Sequence, residues 1–133
     1  MDNGGVRVVV VGKPGPVRDG LCALLTAIPQ IDLVDQADNL QAALPDFGQR
    51  RPALVVIDSD VADNDIVAML LEMRTGWPDA RCVAFADDPG QQRAAKAAGA
   101  SAALLKGARA AEIVNILECL LYDKQGAAGE GHN

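Results

Sequence analysis

Apolar residues follow two rhythms along this chain, and the rhythms alternate. Val6-Arg7-Val8-Val9-Val10-Val11 is a β-branched run stopped by Gly12-Lys13-Pro14-Gly15-Pro16, the pattern of a strand followed by a turn. From Val17 the period lengthens: Val17, Leu21, Leu24, Leu25 and Ile28 recur at helical spacing, and Pro29 ends that helix. Ile31-Asp32-Leu33-Val34-Asp35-Gln36 alternates apolar and polar, which predicts a strand with one wetter face. A second helical stripe follows in Leu40, Ala43, Leu44 and Phe47, with Pro45 set to kink it or cut it short.

The most informative stretch is Ala53-Leu54-Val55-Val56-Ile57-Asp58. Five apolar residues running straight into an aspartate predict a strand buried on both faces, as in a parallel sheet. A carboxylate at the carboxyl end of such a strand stands where open α/β sheets place their sites. A third helix is expected from about Asn64 to Thr75, with Ile66, Met69, Leu70 and Met73 inward. Arg81-Cys82-Val83-Ala84-Phe85-Ala86 reads as a fourth strand, followed by an alanine-rich helix to Ala98 that Gly99 caps. Ala102-Ala103-Leu104-Leu105 makes a short fifth strand closed by Lys106-Gly107. The last helix, Ala108 to about Tyr122, carries Ile113, Ile116, Leu117, Leu120 and Leu121 on one face.

Five strands alternating with five helices imply an α/β domain whose parallel sheet is covered on both faces. The 133 residues suffice for one domain with a real core. Residues 1–5 and 123–133 carry no apolar pattern and are expected to be disordered, the latter as a tail or the start of a linker. The domain proper is thus 6–122.

Composition narrows the chemistry. Only 3% of residues are aromatic against 50% hydrophobic, so the core is aliphatic. A net charge of −6 argues against a nucleic-acid surface on this domain, because phosphate backbones call for clustered Lys and Arg. Cys22, Cys82 and Cys119 lie far apart without C-x-x-C spacing and read as buried free thiols of a reducing, cytoplasmic environment. The lone histidine, His132, sits in the tail, so no His-based metal site or triad is expected within the fold. No apolar run is long enough for a membrane span. Gly12-Lys13-Pro14-Gly15 has the look of a phosphate loop but lacks G-x-x-x-x-G-K-[ST] spacing, and Pro14 and Pro16 remove N–H groups such a loop uses. A nucleotide- or flavin-binding protein of the same architecture is therefore a weak rival.

Residues 6 to 122 resemble the receiver domain of bacterial two-component response regulators, in the LuxR/NarL-like flavour that precedes a DNA-binding helix-turn-helix. The resemblance rests on four stretches: the first strand, Pro16-Val17-Arg18-Asp19-Gly20-Leu21, Pro52 to Asp58, and Ala98-Gly99-Ala100-Ser101-Ala102-Ala103-Leu104-Leu105-Lys106. It implies a flavodoxin-like (CheY-like) doubly wound sheet of strand order 2-1-3-4-5. It also implies that Asp58 holds the phosphoacceptor position and Lys106 that of the family's lysine. At the other positions the resemblance breaks. The adjacent acidic residues that hold Mg²⁺ in the family are matched by Gly12 and Lys13. The Ser/Thr that reads the phosphoryl group falls on Ala86 or Ala84, the switch aromatic on Ala103, and the proline four residues after the phosphoacceptor on Ala62.

Mg²⁺ takes oxygen ligands, usually including one or two carboxylates, and phosphoryl transfer leans on such an ion to offset developing charge. One carboxylate facing Lys13 and Lys106 makes a net positive pocket before any metal arrives. The expectation is that Mg²⁺ binding is lost or weak and that Lys13 pairs with Asp58 in its place. Asp60, Asp87 and Asp88 are read as solvated loop residues rather than substitute ligands, with Asp88 and Asp65 at helix starts. The reading that results is an atypical, non-enzymatic receiver, a pseudo-receiver. It would act through protein partners: itself as a homodimer, an effector domain, or a histidine kinase. The interaction faces would be the last helix with the first, or the fourth helix, fifth strand and last helix. A conventional phosphoacceptor modified at Asp58, and the regulatory half of a LuxR-type transcription factor, stay open as alternatives.

Overall fold

The structure is a computed structural model and describes residues 5–44, 51–62 and 66–130. Five strands, β1 (Val6–Val11), β2 (Ile31–Ala37), β3 (Leu54–Asp58), β4 (Arg81–Ala86) and β5 (Ala102–Leu105), form one sheet. Between and after them come α1 (Pro16–Thr26), α2 (Leu40–Ala43), a 3₁₀ turn (Ser59–Ala62), α3 (Ile66–Gly76), α4 (Pro89–Ala97) and α5 (Ala110–Glu130). All pairings are parallel and the strand order is β2-β1-β3-β4-β5. This is the doubly wound order expected from the resemblance.

Strand alternation divides the core into two layers. Val9, Val11, Val55, Ile57, Cys82 and Ala84 pack against Ile66, Met69, Leu70 and Met73 of α3 on one face. Val8, Val10, Leu54, Val56, Val83, Phe85 and Leu104 pack against Leu21 and Leu25 of α1 and Ile113, Leu117 and Leu121 of α5 on the other. A strand buried on both faces has no polar position to spare, which is why β3 reads as a continuous apolar run. Asp58 ends that run and is itself buried.

Several details differ from the sequence expectation. The register between β1 and β2 shifts between Val6 and Arg7, so Ile31 faces Val6 while Leu33 faces Arg7. One extra residue reverses side-chain parity in a strand. Val34 therefore joins Ile31 in the core and Leu33 is left exposed. Val17, at the first turn of α1, is 60% exposed although it matches the helical stripe. Cys82 is buried, but Cys22 is only half-buried and Cys119 is exposed. Cys119 lies two residues from both Leu117 and Leu121 on α5, about 200° around the helix from each. Helix α5 does not stop at Tyr122 but continues to Glu130; no proline interrupts residues 123–130. The α2 turn is short, ending at Leu44 ahead of Pro45. The expectations for Phe47, Asn64, Asp65, His132 and residues 1–4 lie outside the described residues.

Candidate functional site

The carboxyl edge of the sheet gathers the side chains that matter. Asp58 closes β3, and its Oδ1 accepts the Asp60 backbone N–H at 3.0 Å as the chain turns into the 3₁₀ segment. That turn brings a second carboxylate, Asp60, to the same edge. A third arrives from the loop after β4. Asp88 caps α4 by accepting the Gln91 N–H at 2.8 Å, while Gln91 Oε1 accepts the Asp87 N–H at 2.7 Å. This reciprocal arrangement resembles a capping box and holds Asp87 beside the site. Pro89 opens the helix at a position where its missing N–H costs nothing.

Lys106 is positioned by one extra rung of the ladder. Its N–H donates to the Ala86 carbonyl at 2.9 Å, and Gly107, at φ 94°, then turns the chain toward α5. A left-handed conformation of that kind favours glycine. The lysine ammonium meets all three carboxylates: Asp58 Oδ1 at 3.0 Å, Asp60 Oδ1 at 2.6 Å and Asp87 Oδ1 at 2.9 Å. The side chain of Asp58 is 12% exposed and that of Lys106 28%, whereas Asp60 and Asp87 are about half exposed. Burial alone would lower the Lys106 pKa, but hydrogen bonds to Asp60, Asp87 and Asp58, with the Coulombic attraction of Asp58, hold it well above the usual lysine range. The hydrogen bond from Lys106 pulls the Asp60 carboxyl below its ordinary value against a smaller opposing effect of burial. The charges of Lys106 and Lys13 act in the same direction.

Lys13 does not do what the sequence suggested. It is exposed, and among the described residues it forms no ion pair; its charge reaches Asp60 only through space. The reason lies in the partners already present. Asp58 is satisfied by Lys106 and by the Asp60 N–H, so drawing a flexible, well-hydrated ammonium out of solvent would gain little. The cation that does pack at the end of β1 is Arg18. Its Nη1 donates to the Gly12 carbonyl at 3.0 Å and to Asp38 Oδ1 at 2.7 Å. Gly12 faces both groups: a Cβ there would lie 3.6 Å from Asp58 Cβ and 3.9 Å from Arg18 Cδ. Asp60 and Asp87, taken from sequence as solvated loop residues, thus prove to converge on Lys106. Arg18 had no assigned role. The Asp-x-Asp spacing of Asp58 and Asp60 was the one available signal for the first of these; nothing local signalled the other two.

Among the described residues, no group of three or more His, Cys, Asp or Glu side chains is placed to hold a metal ion. The three carboxylates are organised round an ammonium instead.

Comparison with known proteins places this arrangement. No family model matches the chain. It is 27% identical over 130 residues to the DNA-binding transcriptional activator DevR/DosR of Mycobacterium tuberculosis (strain ATCC 25618 / H37Rv), across 92% of this chain and 60% of that protein. The chain therefore spans less than two thirds of this curated relative. It superposes with a TM-score of 0.70 on the signal receiver domain of NarL from Mycobacterium tuberculosis, at 28% identity over 87% of this chain and 96% of that one. The chain has the fold of response-regulator receiver domains. A LuxR-family two-component response regulator from Aurantimonas sp. SI85-9A1 gives a TM-score of 0.75 at 24% identity, over 88% and 85% of the two chains.

Asp58 and Lys106 meet directly at the carboxyl edge of this sheet. The register sets Ala84 opposite Ala103 and Ala86 opposite Leu105. Both alanines are fully buried. No helix among the described residues is long and apolar enough to cross a membrane.

Proposed function

We propose that this receiver is an atypical one, working in signal transduction and transcription regulation as a phosphorylation-independent protein-interaction module of the cytoplasm. The observation that carries the proposal is the occupancy of the site: an ammonium already sits among the carboxylates of Asp58, Asp60 and Asp87. Mg²⁺ does not suit the residues present. Gly12 offers no side chain, Lys13 offers a positive one, and the Arg18 guanidinium is bound to the Gly12 carbonyl. A divalent ion would have to displace Lys106, whose charge the same carboxylates stabilise. The domain then acts by contact rather than catalysis. Its partners are a second copy of itself, through α1 with α5 or through α4, β5 and α5, and an effector domain of the DNA-binding kind that the name of the DevR/DosR relative records.

The test is direct. Incubation with acetyl phosphate and Mg²⁺ followed by intact-mass measurement is expected to leave the mass unchanged. A stoichiometric gain of one phosphoryl group, absent in Asp58→Asn, would overturn the proposal. That outcome would favour the second reading, a conventional phosphoacceptor served by a histidine kinase, for which the retained Asp58–Lys106 contact speaks.

A further inference from the structure

The opposite pole of the sheet carries a feature that the receiver site does not use. Where β4 begins, a polar cavity of about 240 Å³ opens between the end of α3, the start of β4 and the turn that leads from α4 to β5. Arg74, Arg81 and Ser101 line it. Arg74 belongs to the last turn of α3 and lies against Gly99, where a Cβ would collide with its guanidinium. Gly99 has φ 109°, so the bare backbone leaves room for that guanidinium. Arg81 opens β4, and its Nε is buried without a hydrogen-bond partner. Ser101 Oγ accepts the Cys82 N–H at 3.2 Å, which leaves its hydroxyl proton available to a further acceptor.

Both arginines line this cavity, and neither has an ion-pair partner among the described residues. Asp79 also lines the cavity and has an interaction of its own. On a chain of net charge −6, a buried Arg81 Nε–H without an acceptor is a costly arrangement. A tetrahedral oxyanion there would satisfy Arg81 Nε–H, accept from Ser101 and be drawn by both guanidinium charges. Guanidinium forks suit phosphate for this reason.

We propose that this cavity binds the phosphate group of a small metabolite, at the pole opposite Asp58. The site is independent of how Asp58 is used. Inorganic phosphate is the probe, titrated into the ¹⁵N-labelled full chain with chloride at matched ionic strength as control. Saturable shifts are expected at the Cys82, Gly99 and Ser101 amides and at the Nε–H resonances of Arg74 and Arg81. Arg81→Gln and Arg74→Gln should each weaken the apparent affinity at least tenfold. Arg74 is exposed on α3, so its variant keeps the test valid if Arg81→Gln does not fold. Shifts that stay linear, that chloride reproduces, or that survive both substitutions would overturn the proposal.

Discussion

Replacing Lys106 by methionine removes the ammonium and keeps a stem of similar length, which isolates the charge. The lysine lies 2.6 to 3.0 Å from three carboxylate oxygens. At an effective dielectric of about 20, one pair at 3 Å is worth about 5 kcal/mol of Coulomb energy. Most of this is offset by desolvation of the lysine and by the rotamer freedom its stem gives up. The contacts to Asp60 and Asp87 are half exposed and screened, so each contributes at most about 0.5 kcal/mol. The loss concentrates on Asp58, whose side chain is 12% exposed. Breaking a fully buried pair costs about 3–5 kcal/mol, but Asp58 retains the Asp60 N–H and some solvent. Lys106→Met is therefore expected to destabilise the domain by about 2 kcal/mol, or about 6–10 °C in Tm for a chain of this length.

The sign of a second substitution separates this account from mere loss of packing. Asp60→Asn in the parent chain removes a charge-assisted hydrogen bond and should destabilise slightly. In the Lys106→Met background it relieves repulsion among three carboxylates and should stabilise, giving a coupling of about 1 kcal/mol. Urea unfolding followed by circular dichroism and by the fluorescence of Trp77, the single tryptophan and 3% exposed, reads both. If Asp60→Asn has the same sign in both backgrounds, or if Lys106→Met leaves the midpoint unchanged, the ammonium does not hold the cluster together.

The pH dependence follows from the same groups. Asp60 has its carboxyl lowered from 3.8, so its contribution is complete above that value and is lost as pH falls through the lower folded value. Lys106 is raised from 10.5, so its contribution is complete below that value and is lost as pH rises through the higher folded one. For these two groups, unfolding midpoints should be level between those limits, and a fall in their contribution within that window would contradict the assignment. Leu117→Ala, at a side chain 1% exposed between α5 and the sheet, should cost about 2–4 kcal/mol, while Leu71→Ala, 55% exposed on α3, should stay within about 0.5 kcal/mol; urea midpoints compare them. Burial pushes the Cys82 thiol up to about 12, so iodoacetamide at pH 8 should label the exposed Cys119 quickly and Cys82 only on unfolding, as read by peptide mass spectrometry.

Much of the fold was legible because each element carries its own period. The bounds of β1, β4 and β5 match the apolar runs, and Ile66, Met69, Leu70 and Met73 do face inward from α3. Asp58 and Lys106 were legible because strand ends are written in sequence and the sheet order brings the ends of β3 and β5 to one edge. What could not be read is the direction of a flexible side chain. Lys13 is adjacent to Gly12, yet adjacency does not say whether an ammonium turns inward or to water. Asp87 is directed by a hydrogen bond from its backbone N–H to Gln91, four residues on, and Asp60 by a turn in which its own N–H donates to Asp58 Oδ1. The parity of β2 turned on a single bulge, which alternation alone does not reveal.

The three carboxylates come from three different segments: the end of β3, the 3₁₀ turn after it, and the loop before α4. Lys106 itself begins the segment between β5 and α5. One ammonium thus ties together the connections at the carboxyl edge of the sheet. An ordinary ligand shifts a two-state equilibrium only through contacts that differ between the states. Lys106 is already engaged by Asp58, Asp60 and Asp87, and on the proposed reading alanine at 84, 86 and 103 offers a phosphoryl group on Asp58 no hydroxyl or aromatic side chain to move. On the proposed reading, Asp58 is retained because Lys106 needs a buried counter-charge. Asp58→Asn should therefore lower stability, the opposite of what relief of repulsion in an acidic, metal-ready site would produce, and a rise in the urea midpoint on that substitution would refute the claim.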